Sequence, residues 1–208
     1  MIDVHWVELE SIPAPGPEPR GIAWDGTVFW VSDEANKKIY RINPENKKSS
    51  YSFKYDGIPA GITWDGNYLW LADAKNKKID KLNRKGKILN SIKFDRIENY
   101  THLAFYGDFL WHADYSGTWC KINPSTNKVE SSYTWGHHVC GIVHDESEFW
   151  YVEDSTPALH QISQLLGMNK INYKIAGIPK AVTWDGSSFW IVDGNEKLIK
   201  KLKPQKSE

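Results

Sequence analysis

Apolar and polar positions along this chain alternate in short bursts, and the bursts recur. Gly21-Ile22-Ala23-Trp24 is a β-rich run that stops at Asp25-Gly26, a turn signal leading straight into Phe29-Trp30-Val31-Ser32-Asp33. A charged loop follows, then Ile39-Tyr40-Arg41-Ile42, whose two isoleucines are bracketed by polar residues. Asn43-Pro44 closes that run, because proline has no donor to give a sheet ladder. A fourth run, SSYSFKY, alternates polar with aromatic in the manner of a half-exposed outer strand. No segment sustains a helical period. The local unit is four short strands.

That unit is written five times. Trp30, Trp70, Trp111, Trp150 and Trp190 are separated by 40, 41, 39 and 40 residues, and similar text surrounds each of them. The first copy reads PRGIAWDGTVFWVSDEANKKIYRINPENKK, the second PAGITWDGNYLWLADAKNKKIDKLNRKGKI and the fifth PKAVTWDGSSFWIVDGNEKLIKKLKP. Copies three and four keep the anchor tryptophan and the period but lose several consensus residues. Turn-punctuated strands repeated every 40 residues or so predict propeller blades. The last copy stops after its third strand, while the N-terminus carries an extra alternating run, DVHWVELESI. We therefore expect one all-β domain over residues 1–208: a five-bladed β-propeller of four-stranded antiparallel blades. Residues 4–11 should pair with 198–203 and close the last blade, since an open ring would leave bare sheet edges.

The repeat wording resembles that of NHL-type and streptogramin-lyase-like propellers, and of bacterial proteins grouped with plant-type glutaminyl cyclotransferases. The stretches that carry the resemblance are Gly-Ile-Ala-Trp-Asp-Gly, Phe-Trp-Val, and Lys-Ile-Tyr-Arg-Ile-Asn-Pro. It spans nearly the whole chain and implies architecture, because such repeat residues are structural and the superfamily hosts many functions. A streptogramin lyase implies seven blades and a metal-assisted His and Glu site, which finds no residue-by-residue match here. The Phe-Thr-Gln-Gly-Leu segment of the cyclotransferases is absent. No catalytic residue is carried over from either family.

Composition narrows the partners. Lys plus Arg and Asp plus Glu balance at 26 each, so charge argues for neither nucleic acid nor an anionic membrane. No stretch approaches the roughly 18 apolar residues of a membrane span. MIDVHWVELE lacks the basic and apolar regions of a secretory signal, which makes a cytoplasmic location the default and secretion the alternative if a signal was removed beforehand. Cys120 and Cys140 are too few for a disulfide framework and show no metal-ligand spacing. A monomer is expected.

Residues repeated in most blades read as structure. The anchor tryptophans, and Trp24, Trp64 and Trp184 before the turns, are expected in packing. Asp25, Asp65, Asp145 and Asp185 in the hairpin turns, and Asp33, Asp73, Asp114 and Asp193 at the ends of second strands, are expected to fix loops by accepting backbone hydrogen bonds. A ligand breaks the symmetry of a ring, so function is sought where the copies disagree. The plain entries Pro19-Arg20-Gly21, Pro59-Ala60-Gly61 and Pro179-Lys180-Ala181 become Tyr100-Thr101-His102 in copy three and His137-His138-Val139-Cys140 in copy four. Tyr100, His102, Asp114, Tyr115, Trp119, His137 and His138 are the candidate ligand-binding residues, expected around one depression at the channel mouth. Trp119 is expected partly exposed there, and His102 and His137 on the surface. Aromatic faces flanked by polar groups suit a small glycan or a peptide. His102, His137 or His138 with Asp114, Glu153 or Asp154 would suit a divalent metal such as zinc; His102, His137 and Asp154 are the candidate ligands, though no cofactor is the default. His112 and His144 fall where other copies are apolar or Trp and are expected as buried, hydrogen-bonded core histidines. Three classes stay open: a non-catalytic recognition scaffold, a metal-assisted lyase or glutaminyl-cyclotransferase-like enzyme, and a structural module of a larger assembly.

Overall fold

A computed structural model describes residues 4–98, 100–135, 138–163 and 168–206, with the side chains of 4–5, 168–171 and 204–206 left aside. Its strands form five four-stranded antiparallel sheets, and the sheets stand in a ring as the blades of a propeller. Blade one runs through Pro19–Trp24, Phe29–Asp33, Lys38–Asn43 and Lys48–Lys54, from the inner strand outward. The other inner strands are Pro59–Trp64, His102–Tyr106, Val139–His144 and Pro179–Trp184. Each packs beside the inner strands of both neighbouring blades, the fifth against the first. Blade five is completed by Val4–Pro13, which pairs antiparallel with Leu198–Lys206, so the ring is closed by the N-terminal strand.

The anchor tryptophans explain the ring. Five apolar clusters form the core, one at each junction: Trp30 with Leu69 and Leu71, Trp70 with Leu103, Trp111 with Phe149, Trp150 with Phe189, and Trp190 with Phe29. Four anchors donate their indole N–H to the hairpin aspartate five residues earlier. Trp30 reaches Asp25 at 2.9 Å, Trp70 Asp65 at 2.8 Å, and Trp150 and Trp190 reach Asp145 and Asp185 at 2.7 Å. The same carboxylates accept from backbone N–H groups of their own turns, as from Val28 and Ser188. Blade three has Tyr106 at this place, and Trp111 turns to its carbonyl at 3.4 Å. Asp33, Asp73, Asp114 and Asp193 hold second-to-third-strand loops as expected; Asp73, for instance, accepts from the N–H groups of Ile58, Lys75 and Asn76.

The inner strands approach so closely that side chains are excluded at one level. A Cβ on Gly61 would lie 2.5 Å from the Thr101 carbonyl oxygen, and one on Gly141 would lie 2.8 Å from the Val182 nitrogen. Four inner strands also begin with a register shift against their second strands. The residue left over in such a bulge is unpaired and re-aimed. This is how Arg20, Cys140 and Lys180 come to the rim of the channel.

Candidate functional site

At the end of the channel where the inner strands begin, one chain of contacts links four blades. The Arg20 guanidinium lies 5.1 Å from the centre of the Tyr100 ring. Tyr100 and Tyr115 pack at 5.4 Å, and Tyr115 meets His138 edge-on at 4.7 Å. The Tyr115 hydroxyl donates to Asp154 at 3.2 Å, and the Lys180 ammonium donates to the other oxygen of Asp154 at 2.9 Å. Tyr100 is 42% exposed and Tyr115 37%, so both rings are partly open to solvent. Their charged neighbours are internally matched. Arg20 Nε donates to Glu34 at 2.5 Å and its Nη2 to Glu18 at 3.3 Å. Although burial works against the charged form, the Lys180 ammonium, the Cys140 thiol and the Tyr115 hydroxyl hold the Asp154 carboxyl below the usual carboxylate range.

Of the residues singled out from the repeats, Tyr100, Tyr115 and His138 stand together here, and Asp114 begins the loop that carries Tyr115. Its Oδ1 accepts from Ser116 and Thr118 N–H within that loop. His137 lies outside the described residues. Trp119 does not reach the mouth: it is fully buried, packed on Trp135, Phe149 and Tyr151, and its indole donates to the Trp135 carbonyl at 3.0 Å. The reason is register, since Trp119 opposes Ala113 and its ring turns toward blade four. His102 is not a surface residue either. It is 4% exposed at the waist of the channel, around a cavity of about 10 Å³ shared with Gly21, Gly61, Gly141 and Ala181. Burial first, then His112 and the positive charges of Arg20 and Lys180, push its pKa down to about 3, so it is neutral near pH 7.

His112 is buried as expected but not hydrogen-bonded: neither ring nitrogen has a partner among the described residues, and burial lowers its pKa to about 4. His144 is half-buried rather than core. It stacks on Tyr106 at 3.4 Å and accepts the Glu146 N–H at 3.0 Å, at the opposite end of the channel. There it joins Trp24, Trp64, Phe105 and Trp184 around a cavity of about 110 Å³. Glu153 faces His160 at 3.2 Å. Among the described residues no three His, Cys, Asp or Glu side chains converge, so the zinc expectation gains no ligand set from them. Cys140, pushed up to about 12 by burial and Asp154, stays a thiol.

Arg20 and Lys180 were missed because they sit in copies with plain consensus wording. The available signal was the variable middle residue of the Pro-x-Gly and Pro-x-Ala entries, where the bulge aims a side chain at the mouth.

No protein-family model and no curated protein matches this chain. Among solved structures it is similar to a glutaminyl cyclase from Myxococcus xanthus, with a TM-score of 0.86 and 7% identity over 100% of this chain and 99% of that one. It is also similar to virginiamycin B lyase from Staphylococcus aureus, at TM-score 0.56 and 14% identity over 96% and 99% of the two chains. A nidogen/laminin complex gives 0.62 and 16%, covering 79% of this chain and 67% of that one. At these identities the likeness is one of fold. The chain is a β-propeller of five blades, and a fold of this kind does not by itself fix a function.

Proposed function

We propose that this propeller is a non-catalytic recognition module that holds a small glycan, a peptide or a protein partner on the mouth formed by Arg20, Tyr100, Tyr115, His138, Asp154 and Lys180. The observation that carries the reading is the exposed Tyr100–Tyr115 pair on a rim whose charges are already matched. Tyrosine faces flanked by hydrogen-bonding groups favour an uncharged polar ligand, by stacking and directed contacts. The waist beneath the mouth leaves only about 10 Å³ around His102, which supports a ligand held on the rim rather than in a deep pocket. Asp154 is held ionised by Lys180 and so has no proton to donate at neutral pH. Screening immobilised protein against glycan and peptide arrays should return a ligand whose affinity falls about tenfold or more in Tyr100→Ala and in Tyr115→Ala. A ligand that binds both variants as tightly as the wild type would place recognition elsewhere.

A second reading, cyclisation of N-terminal glutamine with release of ammonia, is favoured by the full-length overlay on the Myxococcus xanthus enzyme. Under it, Tyr115, Asp154 and Lys180 would be the groups that handle the proton. Ammonia release from a glutamine-led peptide, lost in Asp154→Asn, would select it over the scaffold.

A further inference from the structure

Adjacent blades of one ring can serve as templates for one another. On the face away from the mouth, the gap between blades one and two is filled by Arg84. Its guanidinium sits 3.2 Å from Asp25 and 4.7 Å from the centre of the Trp64 ring. Tyr51 reaches across the same gap, its hydroxyl 3.5 Å from the Lys85 carbonyl.

The gap between blades two and three carries the same positions with different residues. Asn83 and Asn123 hold equivalent turns, each accepting from the N–H two residues on, which aligns Arg84 with Pro124. Strand register aligns Tyr51 with Asn90 and Arg41 with Lys81. The hairpin wording aligns Trp64 with Phe105 and Asn67 with Asp108. Two large side chains that close the first gap are thus a proline and an asparagine in the second. What remains is a cavity of about 440 Å³ walled by Asp65, Trp70, Asn90, Phe105, Asp108 and Pro124, within the usual size of a small-ligand site.

The charges differ in the same sense. In the first gap Arg84 neutralises Asp25, Asn67 is uncharged, and Arg41 is exposed to solvent. In the second, Lys81 lies 3.5 Å from Asp65 and over the Tyr68 and Trp70 rings, so that carboxylate is already balanced. Asp108, on the same wall, has no hydrogen bond or ion pair to any described residue, and the cavity carries one excess negative charge. An aromatic platform, a free carboxylate and a volume that a guanidinium fills one blade away define a complement.

We propose that the gap between blades two and three is a second binding site, separate from the mouth, for a guanidinium group: an arginine, free or peptide-borne, stacked on Phe105 and paired with Asp108. Planar guanidinium suits this combination of ring face and carboxylate better than ammonium does.

The test uses the intact protein and the resolved indole N–H resonances in two-dimensional NMR. Titrating Nα-acetyl-L-arginine amide should shift the Trp70 indole saturably and leave that of Trp30, whose gap is filled, in place. Asp108→Asn keeps the shape and tolerates the positive φ of 66° found there, so it should fold as the wild type and bind about tenfold more weakly. Pro124→Arg, which restores the counterpart of Arg84, should abolish the shift by occupying the cavity. Free L-arginine, titrated in parallel, separates the two sources: the tighter of the two probes is the natural one. No saturable Trp70 shift with either probe, unchanged binding in Asp108→Asn, or equal binding of the lysine amide would overturn the assignment.

Discussion

His112 shows most sharply how one residue can work against its surroundings. The corresponding position is Val31, Leu71, Tyr151 or Ile191 in the other blades, yet here two polar ring nitrogens are buried with no partner among the described residues. Each orphan of this kind costs about 1–3 kcal/mol. His112→Leu should therefore raise the denaturant midpoint at pH 7, and a lower midpoint would show that the imidazole makes a contact beyond those described. The acid side follows from linkage. In the unfolded chain an imidazole takes a proton near pH 6.5, whereas His102 resists until about 3 and His112 until about 4. The unfolded chain thus binds more protons across that window. Their contribution to stability is complete above about pH 6.5 and is lost as the pH falls through it. Midpoints measured at pH 7 and pH 5 should differ less in His112→Leu than in the wild type. Trp70→Ala should be costly in the opposite sense, roughly 3–5 kcal/mol, since it empties a junction and removes the indole donor from Asp65. Trp119→Ala belongs in the same range, because its ring is as completely enclosed.

Among the elements, the N-terminal strand makes the longest-range pairing, joining the start of the chain to its end. Trp6 packs edge-on against Tyr173 and Phe189 at 5.4 Å and Trp150 at 6.2 Å, and Ile12 is fully buried beside Trp190. Deleting residues 1–11 should lower the melting temperature sharply, because it removes Trp6 and bares the edge of Leu198–Lys206. A truncated protein that melts with the full-length one would mean the fifth blade stands on three strands. This strand was legible in the sequence, as were all five blades, because repetition multiplies a weak local signal until the missing fourth strand shows as a gap. Side-chain direction was not. A bulge changes where a residue points without changing the letters around it, so Arg20 and Lys180 read as consensus while aiming at the mouth. Trp119 breaks the repeat yet faces the core, because departure from consensus marks a changed environment and not its exposure.

For the whole molecule, the ring separates what holds it from what it offers. Stability resides in five junctions built from repeated residues; the mouth gathers unlike residues from blades one, three, four and five onto that rigid frame. Substitutions at the two classes of position should accordingly be separable. Tyr100→Ala with Tyr115→Ala removes two exposed rings that no core cluster includes, so stability should stay within about 0.5 kcal/mol of the wild type per change. Asp154 keeps Lys180 in that variant, so no buried charge is stranded. Ligand capture at the mouth should nonetheless fall by more than either single change causes, since the rings pack on one another and form one surface. His102→Ala reverses the pattern: it widens the narrow waist and lowers the melting temperature while leaving the rim's contacts in place. Melting curves and ligand titrations on these two variants decide the matter together. If the tyrosine pair proves essential for folding and His102 alone for binding, the ligand enters the channel, and the mouth is only its collar.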